Sequence, residues 1–82
     1  MRFVYDNKIY DTEKSERVFR YITGNLEVIL YKSLLHGDWF YLCTDRGNKS
    51  LRAIAAKYVR RILLNRERQD LVDKYFDNTY TE

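Results

Sequence analysis

Apolar and polar residues alternate along the first half of this chain, and their spacing lengthens in the second. Phe3-Val4-Tyr5 and Ile9-Tyr10 flank Asp6-Asn7-Lys8. Asp and Asn tolerate left-handed turn conformations between β-formers, so this segment predicts a tight hairpin. Asp11-Thr12 offers side-chain acceptors for exposed amides, with Glu13 near the positive end, and predicts one helical turn over residues 12–15. Val18 and Ile22 fit helical spacing, but residues 18–23 are rich in β-branched and aromatic side chains. The expectation is a strand over about 16–23, closed by Gly24-Asn25.

Two β-rich runs follow, residues 26–33 and 38–44, joined through Leu34-Leu35-His36-Gly37, where Gly supplies positive φ. In the second run Trp39, Tyr41 and Cys43 point one way, and Phe40, Leu42 and Thr44 the other. One face should pack on a helix, leaving the other as a contact surface. Asp45-Arg46-Gly47-Asn48 is a turn cluster, after which Asn48 or Ser50 can cap a helix. Leu51, Ile54, Ala55, Tyr58 and Ile62 form a core stripe over residues 50–64, about 22 Å long at 1.5 Å per residue. Lys57, Arg60, Arg61 and Leu64 fall off that stripe. Asn65 is the expected stop. A second helix over about 67–76 shows Leu71, Val72, Tyr75 and Phe76.

These elements predict an α+β domain: a small, mostly antiparallel sheet with one or two C-terminal helices across one face. The sheet would combine the N-terminal hairpin, a third strand and the aromatic hairpin. The 82 residues are expected to form one domain, with a sheet region over 1–48, a helical region over 49–77 and a frayed tail over 78–82. Eight Tyr, four Phe and one Trp exceed the needs of so small a core, so some aromatics should reach the surface as contact residues. No apolar run approaches the ~20 residues of a membrane span, and the first residues lack a signal-peptide pattern. With a single cysteine as well, the expected location is the cytoplasm.

Charge changes the picture most. Residues 49–68 carry seven basic side chains (Lys49, Arg52, Lys57, Arg60, Arg61, Arg66, Arg68) against one acid, Glu67. Residues 69–82 carry one lysine against four acids. A positive face attracts nucleic acid, or the acidic surface of a protein that handles it, although a charge run also serves as a plain solvated helix face. Five or six phosphate contacts would give a log–log salt slope of about −5. Tyr31, Trp39, Phe40 or Tyr41 on a sheet face could stack bases, with core packing as the competing use.

Candidate chemistry is sparse. His36 and Cys43 are the only histidine and cysteine, and the strand between them would separate them by about 20 Å at 3.3 Å per residue. One Cys and one His do not make a zinc site, and the three glycines form no phosphate loop. Glu13/Glu16 and Asp70/Asp73 read as helix-surface charges. No catalytic residue, metal or cofactor is expected. The expected partner-binding residues are Lys57, Arg60, Arg61, Arg66 and Arg68, with Trp39 and Tyr41. A homodimer through the C-terminal helix, with Val59 and Leu64 in a symmetric seam, is a further reading.

Four segments carry a resemblance: Lys8-Ile9-Tyr10-Asp11-Thr12-Glu13-Lys14-Ser15, Leu30-Tyr31-Lys32, Gly37-Asp38-Trp39-Phe40-Tyr41-Leu42 and Lys74-Tyr75-Phe76. In these the chain resembles small proteins of phages and other bacterial mobile elements with a Tyr-Asp-Thr-Glu signature, a group that includes anti-CRISPR proteins. Ser15 stands where the group often has Ala, and its Gly-rich stretch is reduced to residues 45–48. The resemblance implies a non-enzymatic accessory protein that binds a host protein or nucleoprotein, such as a Cas effector, and blocks its access to DNA. A net charge of +3 separates this chain from acidic DNA mimics. A small basic nucleic-acid-binding module or phage regulator is the alternative.

Overall fold

The structure is a computed structural model and describes residues 1–76. The expected tail over 78–82 lies outside the described residues. Two sheets and two helices make up the fold, in the order β1 (Arg2–Tyr5), β2 (Lys8–Asp11), a 3₁₀ turn (Thr12–Lys14), β3 (Ser15–Thr23), β4 (Leu26–Ser33), β5 (Trp39–Asp45), β6 (Asn48–Ile54), α1 (Ala56–Asn65) and α2 (Gln69–Tyr75). β1 and β2 form a separate hairpin, and β3-β4-β5-β6 form an antiparallel meander. The α+β expectation holds, with one strand more than the sequence reading supplied.

Tight turns of the predicted chemistry set the registers. Asp6 and Asn7 both take positive φ, 53° and 62°, as a type I′ turn requires, and so pair Tyr5 with Lys8. Gly24, at φ 60°, opens the two-residue connection that pairs Thr23 with Leu26. Between these turns the Asp11 carboxylate accepts the Glu13 amide at 3.0 Å and starts the 3₁₀ turn.

The expected helix over 50–64 is corrected: its first part is β6, and α1 starts only at Ala56. Arg46 and Gly47, at φ 53° and 85°, make a second I′ turn, which returns the chain along β5 and pairs Asp45 with Asn48. Without β6, the free edge of β5 would expose the backbone beside Trp39 and Phe40, which are 4% and 0% exposed. Tertiary pairing therefore overrides a spacing that was equally legible as helical. Neither Asn48 nor Ser50 caps α1; Ala55 occupies that position without a side-chain hydrogen bond.

The helical stripe shifts with the start. Val59 and Leu63 are fully buried, and Ile62 packs beside them, whereas Tyr58, expected in the core, is 46% exposed. The α1 seam expected to pair Val59 with a second copy is thus already used inside this chain. Asn65 is the last residue of α1, but the left-handed residue is Glu67, at φ 59°. The Glu67 amide donates to the Leu64 carbonyl at 3.1 Å and the Arg68 amide to the Leu63 carbonyl at 2.9 Å, a Schellman closure that turns the chain into α2.

Opposite residues across an antiparallel pair share a face. On one face Val28, Leu30 and Trp39 meet Val59 and Leu63 of α1 and Val72 of α2. On the other, Phe40 contacts Tyr31 at 5.2 Å between ring centroids, Tyr10 at 5.5 Å and Phe3 at 5.9 Å. The N-terminal hairpin therefore covers part of the face that the sequence left open as a contact surface. No described helix is long and apolar enough to cross a membrane.

Candidate binding interface

Once Val59, Ile62 and Leu63 turn inward, helical geometry places Lys57, Arg60, Arg61 and Leu64 on the opposite side of α1. All four are exposed. Tyr58 lies beside them, with the Lys57 ammonium 5.3 Å and the Arg61 guanidinium 5.6 Å from its ring centroid. Among the described residues, no ion pair joins a carboxylate to Lys57, Arg60, Arg61 or Arg66. This face is cationic and open, and it carries one aromatic ring.

The face also costs the helix something. α1 has no acid in its first turn and no side-chain cap, while Lys57 stands near the positive end of the helix dipole. A cation there is disfavoured by about 0.3–1 kcal/mol, and like charges four residues apart, as at Lys57 and Arg61, by a few tenths. An acid in place of Lys57 would remove both penalties and pair with Arg61.

Arg66 and Arg68 belong to a second cluster, where α1 meets the edge strand β3. The Arg66 guanidinium lies 4.6 Å from the Tyr21 ring centroid, and that of Arg68 lies 5.2 Å from the Phe19 ring. Burial pushes the Tyr21 hydroxyl pKa up, and the positive charge of Arg66 opposes the rise. Arg68 is also bonded to Asp70, Nε to Oδ1 at 3.0 Å and Nη2 to Oδ2 at 2.9 Å, which raises the pKa of the arginine and lowers that of the acid. Arg66 therefore extends the free positive surface, while Arg68 is partly neutralised.

The expected aromatic contacts need correction. Trp39 is stacked on Phe76 at 5.5 Å and meets Tyr75 edge-on at 5.6 Å, so at 4% exposure it is a core residue and no partner can reach it. Tyr41 is half-buried against the same core and keeps only part of its ring accessible. Tyr58, 46% exposed, is instead the ring that stands beside the cationic face. Its signal was present in the sequence: with a helix starting at Ala56, the i, i+3, i+4 stripe is Val59, Ile62 and Leu63, and Tyr58 falls off it.

The groups considered for chemistry are occupied elsewhere. The His36 Nε2–H donates to the Ile9 carbonyl at 3.2 Å, and the ring contacts Tyr10 at 5.4 Å. Cys43 packs against the helix-side core. Among the described residues no group of three or more His, Cys, Asp or Glu side chains is placed to hold a metal ion. A polar network that the sequence did not signal ties the hairpin down. The buried Tyr10 hydroxyl donates to Asp38 Oδ2 at 2.8 Å, and Lys8 Nζ approaches the same oxygen at 3.4 Å. Burial, the hydrogen bond to Asp38 and its charge push the Tyr10 pKa up to about 12. Burial alone would raise that of Asp38, but the Tyr10 and Lys8 bonds hold it below the usual carboxylate value. Set against protein-family models, curated proteins and solved structures, the chain finds no match.

Proposed function

We propose that this protein is a non-enzymatic binding module that presses the outer face of α1 against an acidic surface of a larger assembly. The supporting observation is the α1 face itself: Lys57, Arg60 and Arg61 are exposed and unpaired by carboxylates among the described residues, and Lys57, in the first turn and four residues before Arg61, stands where a cation weakens the helix. A solvated structural face has no need of that penalty; an electrostatic docking face does. Arg and Tyr commonly dominate such interfaces, and Tyr58 and Arg66 extend this one. Taken with the resemblance to mobile-element proteins, the reading is an anti-CRISPR-type inhibitor. It would bind a Cas effector or comparable nucleoprotein in the host cytoplasm and exclude its substrate sterically.

The double reversal Arg60→Glu/Arg61→Glu tests it. Plasmid interference by CRISPR effectors, scored in cells expressing this protein, should be relieved by the parent and restored by the variant. Thermal stability should stay within about 0.5 kcal/mol of the parent, because both side chains are exposed. Equal relief by both proteins removes this face from the function.

Direct nucleic-acid binding is the second reading, favoured by the guanidinium groups stacked on Tyr21 and Phe19. Gel shifts with single- and double-stranded DNA against salt separate the two. Affinity weaker than about 10⁻⁴ M at physiological salt is no more than non-specific association and rejects direct binding.

A further inference from the structure

The central sheet has two outer edges of unlike construction. β3 is broken by a register shift between Arg17 and Phe19, and Arg66 and Arg68 lie over its Tyr21 and Phe19 rings. Bulges and overlying groups of this kind discourage a further strand from pairing. β6 pairs with β5 in unbroken register over all seven residues, from Asp45↔Asn48 to Trp39↔Ile54. The two-residue turn makes Asp45–Asn48 a hydrogen-bonded pair, so Asn48, Ser50, Arg52 and Ile54 direct their peptide groups at β5. Lys49, Leu51 and Ala53 direct theirs outward, and no other backbone bonds to them among the described residues.

Beside this edge lies a cleft of about 260 Å³ lined by Phe3 and Tyr5 of β1 and by Leu51, Arg52 and Ala53 of β6. A strand added to β6 would point alternate side chains into it, next to Leu51 and Ala53. The intervening side chains would fall beside Ser50 and Arg52 on the opposite face. No acid occurs between Asp45 and Glu67, whereas Arg46, Lys49 and Arg52 all belong to the β6 hairpin or its turn. A second copy of β6 would bring the same positive charge to the contact.

We propose that the β6 edge is a docking site for an extended acidic segment of a partner protein, which adds as a fifth strand. Main-chain bonds to Lys49, Leu51 and Ala53 hold the segment. An apolar side chain fills the cleft against Phe3 and Tyr5, and carboxylates alternate with it beside Arg52. This mode of recognition takes affinity from backbone bonds and selectivity from alternate side chains. The surface is separate from the outer face of α1 and does not depend on it.

The probe is a blocked heptapeptide alternating valine and glutamate, titrated into the full chain and followed by amide NMR. Shifts should concentrate on β6, and hydrogen exchange at the Lys49, Leu51 and Ala53 amides should slow at least tenfold at saturation. N-methylation of the peptide at its edge-facing amides should weaken binding at least tenfold with the protein unaltered. Replacing its glutamates by lysines should do the same, and Arg52→Glu should remove that preference. Three results would each overturn the proposal: no β6 shift at millimolar peptide, shifts confined to α1, or β6 protection that grows with protein concentration alone. The last would mean self-pairing.

Discussion

The two faces of the central sheet are covered by different means. The helix face relies on Leu30, Val59, Leu63 and Val72 around Trp39, a cluster drawn from two strands and two helices. The hairpin face relies on four rings, Phe3, Tyr10, Tyr31 and Phe40, and on one oriented polar contact, Tyr10 to Asp38. A mainly aliphatic cluster is non-directional and can partly repack when altered. The hairpin is two short strands that could not stand alone, so it depends on a few specific contacts. The first cover should yield gradually and the second abruptly.

Truncation is the strongest way to break that contrast. Phe40→Ala should cost about 3–5 kcal/mol in chemical denaturation, since its fully buried ring touches three others. Leu63→Ala should cost about 2–5 kcal/mol. Only the Phe40 variant should also release the hairpin, seen as fast amide exchange over β1 and β2. Equal exchange in the two variants would mean that the covers are not independent.

Loss of a single hydroxyl should also be felt unequally on the two faces. Tyr10→Phe leaves Asp38 without its short bond in a partly buried site and should cost about 1–3 kcal/mol. Tyr75 donates to Glu16 at 2.7 Å on the helix face, but Tyr75 is only partly buried where Tyr10 is 3% exposed, so Tyr75→Phe should cost about 1 kcal/mol or less.

Titration separates the faces further. Both hydroxyls have pKa values raised from 10.0 to about 12, in each case by burial first and then by the neighbouring carboxylate. A raised folded pKa means that the stabilisation is fully present below pH 10 and is lost as pH climbs toward 12. Alkaline denaturation should therefore weaken both faces. Asp38 has a lowered pKa, so its contribution is present above the unfolded value of 3.8 and is lost as pH falls through the folded one. Acid should thus loosen the hairpin, and Tyr10→Phe should flatten that response in a pH series of melting curves.

The smallest effect concerns the link between the helices. Glu67 bears a Cβ at φ 59°, where glycine is free of strain. Glu67→Gly should stabilise the protein by about 0.5–1 kcal/mol in thermal melts, with no change at the hairpin.

Much of the fold could be read from local chemistry. Asp6-Asn7 and Gly24-Asn25 specified their turns, Asp11 the 3₁₀ turn, and the 26–33 run its strand, because each signal acts within a few residues. β6 escaped because Leu51 and Ile54 satisfy a helical spacing as well as a strand lying half-exposed at an edge. That error moved the start of α1, and with it the assignments of Tyr58 and Val59. The cationic residues of the site were plain in the sequence. Their division into open (Lys57, Arg60, Arg61, Arg66) and engaged (Arg68) was not, since Asp70 and Phe19 had first to be brought beside Arg68.

Residue order alone was enough for an α+β domain with tight β-turns, a dense supply of aromatic rings and an excess of positive charge after residue 45. It took the packed chain to make Trp39 core and Tyr58 surface, to bring Tyr10 to Asp38 across 28 positions, and to turn the 48–54 segment into a strand. Turn chemistry and charge are properties of neighbouring residues. Burial and strand pairing depend on segments far apart in the chain, and β5 could bury its two rings only by acquiring a partner on its free side.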